Sequence, residues 1–120
     1  MPFLTLQTNV HLGHAQELRL KDALGRAIEL VPGKSEANLL LQIQGGCHFY
    51  LRGDASQPVV LAHLSVFANE AHTGYDRLTM EITRLCSEIL CAPPENIYVK
   101  YEDLGAWGVA GQFVDRRYYS

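Results

Sequence analysis

Phe3, Thr5 and Gln7 alternate with Leu4, Leu6 and Thr8 at the start of the chain, and this period of two predicts a short strand over residues 3–9. From His14 the period changes. Leu20, Leu24, Ala27, Ile28 and Val31 recur at helical spacing, and Pro32 followed by Gly33 supplies the stop. Residues 37–44 read as a second strand, closed by Gly45 and Gly46, and its run Leu39, Leu40 and Leu41 predicts burial on both faces. Residues 48–52 suit a short edge strand. After the turn-rich residues 53–58 the pattern restarts with a strand over 59–67. A helix follows, with Tyr75, Leu78, Ile82, Leu85, Cys86 and Ile89 on one face. Ala92, Pro93, Pro94 and Glu95 break that helix, and residues 96–104 return as a strand with β-branched and aromatic content.

The order strand, helix, strand thus occurs twice, and each half has the length of a βαβ unit. Such a crossover makes its two strands parallel and places its helix on one face of the sheet. The segments Pro32-Gly33-Lys34-Ser35-Glu36-Ala37-Asn38-Leu39 and Ala92-Pro93-Pro94-Glu95-Asn96-Ile97, each leading from a helix end through a short turn into a strand, echo one another as in a weak internal duplication. With both helices on one face, the opposite face of the sheet stays bare. A chain of 120 residues has no second helical layer to spare for it, so a partner subunit is the economical cover.

That length is one domain's worth, spanning 1–120, and the 48% hydrophobic and 19% charged composition is that of a folded globular chain. A net charge of -3 provides no broad basic surface for phosphates, which argues against nucleic-acid binding. No apolar run reaches the length of a membrane span and the start lacks a signal-peptide pattern, so the expected location is the cytoplasm, without a membrane partner. Cys47, Cys86 and Cys91 form no Cys-x-x-Cys and are odd in number; Cys86 and Cys91 read as small core hydrophobes in a reducing compartment. His11 and His14 sit near a helix start with no second ligand pair, so no metal is expected. Trp107 lies in the run Gly105 to Gly111, which lacks the strand-to-helix setting of a phosphate loop and suits a hairpin or interface strand.

Three segments carry a resemblance to a known family. The opening MPFLTLQTNV, the turn Gly33-Lys34 after the first helix, and Asn96-Ile97-Tyr98-Val99-Lys100-Tyr101-Glu102-Asp103 in the last long strand resemble, in order and spacing, macrophage migration inhibitory factor and its relatives in the tautomerase superfamily. The likeness runs over residues 2 to 113. It implies two βαβ units forming a four-stranded mixed sheet with two helices on one face, assembled as a homotrimer with a site at each subunit interface. It also implies keto-enol tautomerisation of a 2-oxo acid such as a phenylpyruvate-like compound, with no cofactor.

Pro2 is the base that the resemblance implies. Small second residues permit removal of the initiator Met1, which leaves a secondary amine, and an amine can accept a proton where an amide cannot. A free α-amino group titrates near ~8, so modest desolvation or a neighbouring cation frees it for general-base work. A Met-Pro start on its own is only a stiff first residue of a strand. Lys34 is implied as the cation for the substrate carboxylate and the developing enolate. Phe67 falls where the family contacts substrate through a backbone N–H. Tyr98 and Lys100 lie two apart on one strand and therefore share a face; in the family the matching tyrosine and asparagine reach into the adjacent subunit's pocket.

The departures bear on substrate. Lys100 replaces the family asparagine and adds a cation, which favours more acidic or dicarboxylate compounds, while Asn38 stands where relatives of the human type carry a pocket tyrosine. Val59, Val60, Leu61 and Ala62 occupy the place of the vertebrate Cys-x-x-Cys, so no thiol oxidoreductase activity is expected there. Residues 111–120 diverge, as an interface strand or a tail. Two other readings compete: a non-catalytic binding or signalling protein that keeps the fold, and a ferredoxin-like βαββαβ ligand-binding domain, which has no use for a free Pro2.

Overall fold

A computed structural model describes residues 2–118. Along the chain run β1 (Pro2–Thr8), α1 (His14–Ala27), β2 (Leu40–Gln44), β3 (Val60–Phe67), α2 (Tyr75–Leu90), β4 (Ile97–Leu104), β5 (Ala106–Val109) and β6 (Gln112–Asp115). The first four strands in the order β2-β1-β3-β4 make one sheet, and β5 with β6 forms a separate hairpin. β1 runs parallel to β2 and β3 parallel to β4, as two right-sized crossovers require. β1 and β3 pair antiparallel from Pro2 opposite Val66 to Thr8 opposite Val60, which joins the two βαβ units into one mixed sheet.

Alternation decides the faces. Leu4 and Leu6 of β1 and Val60, Ala62, Leu64 and Val66 of β3 are buried in one apolar cluster with residues of both helices. Leu20 and Leu24 come from α1, and Leu78, Ile82, Leu85 and Cys86 from α2. Both helices therefore pack on the same face, and Tyr75, Leu78, Ile82, Leu85, Cys86 and Ile89 form the buried stripe expected from the 3.6-residue period. Thr8 is fully buried but satisfied: its hydroxyl donates to the Val59 carbonyl at 2.8 Å and accepts from the Val10 N–H at 3.2 Å.

Several boundaries differ from the sequence-based expectations. The first helix ends at Ala27 and tightens into a 3-10 turn over Ile28–Leu30. Residues 36–38 form another such turn, held by the Leu39 N–H on the Glu36 carbonyl at 3.1 Å, so β2 starts only at Leu40. Burial of the leucine run on both faces is also overturned. β2 is the outer strand of the sheet, and Leu40, on the face without helices, is 60% exposed. Residues 48–52 form no edge strand. Only an isolated bridge joins Leu51 to Asp54, because Arg52 (φ 53°) and Gly53 (φ 76°) turn the chain back at once. Cys91 is no core residue: it caps α2 in a left-handed conformation and is exposed, while Cys86 is buried as expected. Residues 106–115 do form a hairpin, with Trp107 opposite Val114. Met1, Tyr119 and Ser120 lie outside the described residues, so the removal of Met1 and the end of the divergent C-terminal segment lie there too.

Burial pushes the Cys86 thiol up to about 12 from its ordinary value of 9.0. The folded state thus favours the protonated thiol, whereas the unfolded chain ionises first. The resulting stability is complete below pH 9.0 and is lost as pH rises towards about 12. Denaturant titrations should show this alkaline decline in the native protein and a shallower one in Cys86→Ala. Equal slopes for the two proteins would show that the thiol is not the group responsible.

Candidate functional site

The turn after α1 delivers Lys34. Gly33 adopts φ 76°, which a side chain resists, and the Lys34 N–H closes the turn on the Val31 carbonyl at 3.1 Å. From there the Lys34 ammonium reaches the last residue of β3 and donates from Nζ to the Phe67 carbonyl at 3.0 Å. Val66, one residue earlier, pairs with Pro2. Pro2, Lys34 and Phe67 therefore meet at one corner of the sheet, where β1 begins and β3 ends; Pro2 and Phe67 are buried and Lys34 is half-buried. The Phe67 group in contact with Lys34 is its carbonyl, not the N–H that the resemblance emphasises.

The structure does not bring Tyr98 and Lys100 to this corner within one chain. Both lie on β4, opposite Leu61 and His63, whereas the β4 residue in line with Pro2 and Val66 is Asp103. At about 3.3 Å per residue, Tyr98 and Lys100 are roughly 16 and 10 Å along the strand from that row. Their side chains share the helix-free face and are exposed, Tyr98 by 49%. Beside Lys100, Glu102 accepts from the Ser65 hydroxyl at 2.9 Å and lies 3.8 Å from His63 Nε2. Among the described residues no carboxylate pairs with Lys34 or Lys100.

Sequence reasoning missed a cluster beside the corner. His72, in the loop after β3, contacts the Asp103 carboxylate through Nε2 at 2.6 Å. Its ring stacks on Tyr75 (centroids 5.1 Å apart), which stacks in turn on Tyr101 (4.3 Å). Burial raises the pKa of both phenols. Glu70 of the same loop pairs with Arg116 at 2.7 Å; its backbone hydrogen bond and that guanidinium hold its carboxyl below the usual range. No local motif announces His72 and Asp103, which are 31 residues apart. Only the β3–β4 register exposes their proximity.

A cavity of about 480 Å³ lies elsewhere, between α1 and β2, lined by Leu18, Lys21, Leu39, Leu40 and their neighbours. It contains none of the corner residues, and its lining mixes leucines with Glu17, Lys21 and Glu36. Among the described residues no group of three His, Cys, Asp or Glu side chains could hold a metal ion, and no helix is long and apolar enough to cross a membrane.

Two parallel βαβ units joined antiparallel into one four-stranded sheet, with both helices on one face, make up the fold that the family resemblance implies. The sequence profile of the macrophage migration inhibitory factor (MIF) family matches residues 1–113, and the chain belongs to that family. Comparison with curated protein sequences gave no match. Among solved structures, Leishmania major MIF2 is similar at 22% identity over 95% of this chain and 97% of its own, with a TM-score of 0.86. A protein inactivated by 2-oxo-3-pentynoate is similar at 15% identity, covering 96% of each chain, with a TM-score of 0.81. A fused 4-OT described as an asymmetric trimer is similar at 16% identity, again covering 96% of each chain, with a TM-score of 0.78. At these identities the likeness is one of fold.

Proposed function

We propose that this chain is a cofactor-independent keto-enol tautomerase of a 2-oxo acid, with the Pro2 amine as general base once Met1 is removed. The observation that carries the reading is the convergence of Pro2, Lys34 and Phe67 at one sheet corner, with Lys34 fixed by the Phe67 carbonyl and free of any carboxylate partner among the described residues. Neutral Pro2 takes the proton from the carbon beside the carbonyl, or from the enol hydroxyl, and returns it to the other atom. Charge that develops on the oxygen is balanced by the Lys34 ammonium, an interaction stronger in the transition state than in the ground state. The 2-oxo acid class is supported by the fold neighbour that 2-oxo-3-pentynoate inactivates.

The corner is an incomplete site in one chain. In the proposed assembly, a homotrimer of the kind named for the fused 4-OT, Tyr98 and Lys100 of one chain complete the corner of the next. Their placement on the helix-free face, with Tyr98 near the start of β4 and Lys100 at mid-strand, suits delivery to a neighbour. The rival reading is a non-catalytic MIF-like binding or signalling protein, and Lys100 in place of the family asparagine favours it. Enol conversion by the Met1-free protein separates the two, because turnover that disappears when the amine is blocked belongs only to the enzyme.

Two outcomes are expected. Pro2→Gly keeps an amine but alters its basicity and stiffness, so kcat/KM should fall strongly while light scattering still reports three chains; unchanged turnover would assign the base to another group. Lys100→Asn removes a cation that disfavours protonated Pro2. The acid limb of kcat/KM, which follows loss of neutral amine, should therefore move to higher pH by up to about one unit. Coincident acid limbs for two trimeric, Met1-free proteins would place Lys100 away from the amine.

A further inference from the structure

The loop between β3 and α2 is held in a costly conformation. Ala68 (φ 68°) and His72 (φ 58°) both carry a Cβ in the left-handed region, and they are two of the five non-glycine residues with positive φ among the described residues. Residues held this way persist only where their surroundings over-determine them, and they concentrate at functional sites. Ala68 immediately follows Phe67, whose carbonyl receives Lys34. The strained loop thus starts at the residue that carries the acceptor, at the end of the β3 pairing with Leu104.

Two side-chain contacts tie the loop outward: Glu70 to Arg116 at 2.7 Å, and His72 Nε2 to Asp103 at 2.6 Å. The second is anchored in the sheet itself. Asp103 pairs with Val66, and Val66 pairs with Pro2, so the contact fastens the loop to the cross-strand row that contains Pro2. The stack of His72 on Tyr75 and Tyr75 on Tyr101 fixes the imidazole plane, and the His72 N–H closes back on the Asn69 carbonyl at 3.0 Å. His72 and Asp103 have side chains 55% and 43% exposed, where an ion pair contributes little to stability. Its consequence is geometric.

We infer that His72 and Asp103 are positioning residues for the proposed site: their contact locks the loop after β3 so that the Phe67 carbonyl holds the Lys34 ammonium beside Pro2. The inference rests on the tautomerase reading for its kinetic consequence, but not for its structural one. Asp103→Ala removes the clamp without altering the loop sequence. His72→Gln keeps a donor near the position of Nε2.

The test combines kinetics of wild type, Asp103→Ala, Lys34→Ala and the double variant on enol-phenylpyruvate with acetic anhydride labelling of Lys34 relative to Lys100. Asp103→Ala should lower kcat about fivefold with KM within about twofold and the denaturation midpoint unchanged. Because the effect passes through Lys34, adding Asp103→Ala to Lys34→Ala should change nothing further. His72→Gln should retain most of the wild-type kcat, and Lys34 labelling should rise several-fold in Asp103→Ala. Unchanged kcat, effects that add across the two sites, or unchanged Lys34 labelling would overturn the positioning role. A wild type without amine-dependent turnover would sink the tautomerase reading instead, and the labelling ratio would then decide the clamp by itself.

Discussion

The antiparallel pairing of β1 with β3 is the constraint on which the rest depends. Among the described residues it is the only seam between the two βαβ units in the sheet order, and its register sets Pro2 opposite Val66. The same register puts Leu4 and Leu6 beside Leu64 and Ala62 on the helix face, where the core is fully closed. A slip of one residue would turn Leu4 and Leu6 towards the bare face and move Pro2 off the row it shares with Val66 and Asp103. Core packing and site geometry are therefore enforced by one set of cross-strand pairs. Burial of the apolar residues stabilises the pairing, and the pairing places the chemistry.

From that seam follows the division of the proposed site into two halves. Strand direction puts the start of β1 and the ends of β3 and β4 at one edge, which gathers Pro2, Lys34, Phe67, His72 and Asp103. It equally puts Tyr98 at the far end of β4 and, by alternation, on the other face. No rotamer change spans that separation in one chain. A site that uses both halves requires assembly, and assembly would cover the helix-free face that a chain of this size leaves open.

Periodicity made much of this legible. The stripe from Tyr75 to Ile89 and the alternation from Pro2 to Thr8 both appear in the structure because each depends on local spacing alone. What failed was non-local. Three successive leucines predict burial on both faces, but β2 lies at the sheet edge, a fact about strand order that no window of sequence contains. Cys91 reads as a small core hydrophobe from its residue type, yet α2 ends there in a left-handed turn that leaves it exposed. The corner itself was half visible: the family motifs point to Pro2 and Lys34, while the Phe67 carbonyl and the His72–Asp103 contact arise from a loop closing on a neighbouring strand. Single-site signals were readable, and the contacts that orient them were not.

The most direct test of an amine base completed by a neighbouring subunit is complementation between two crippled chains. Pro2→Gly carries a weakened amine in place of the proposed base, and the Tyr98→Ala/Lys100→Ala double variant lacks the half supplied to the neighbour. When the two are unfolded, mixed equally and refolded, random trimers should carry an intact interface at about a quarter of their sites. Turnover should then exceed that of either parent by a corresponding margin. A mixture no more active than its components would contradict a shared site and confine whatever chemistry the protein performs to a single chain.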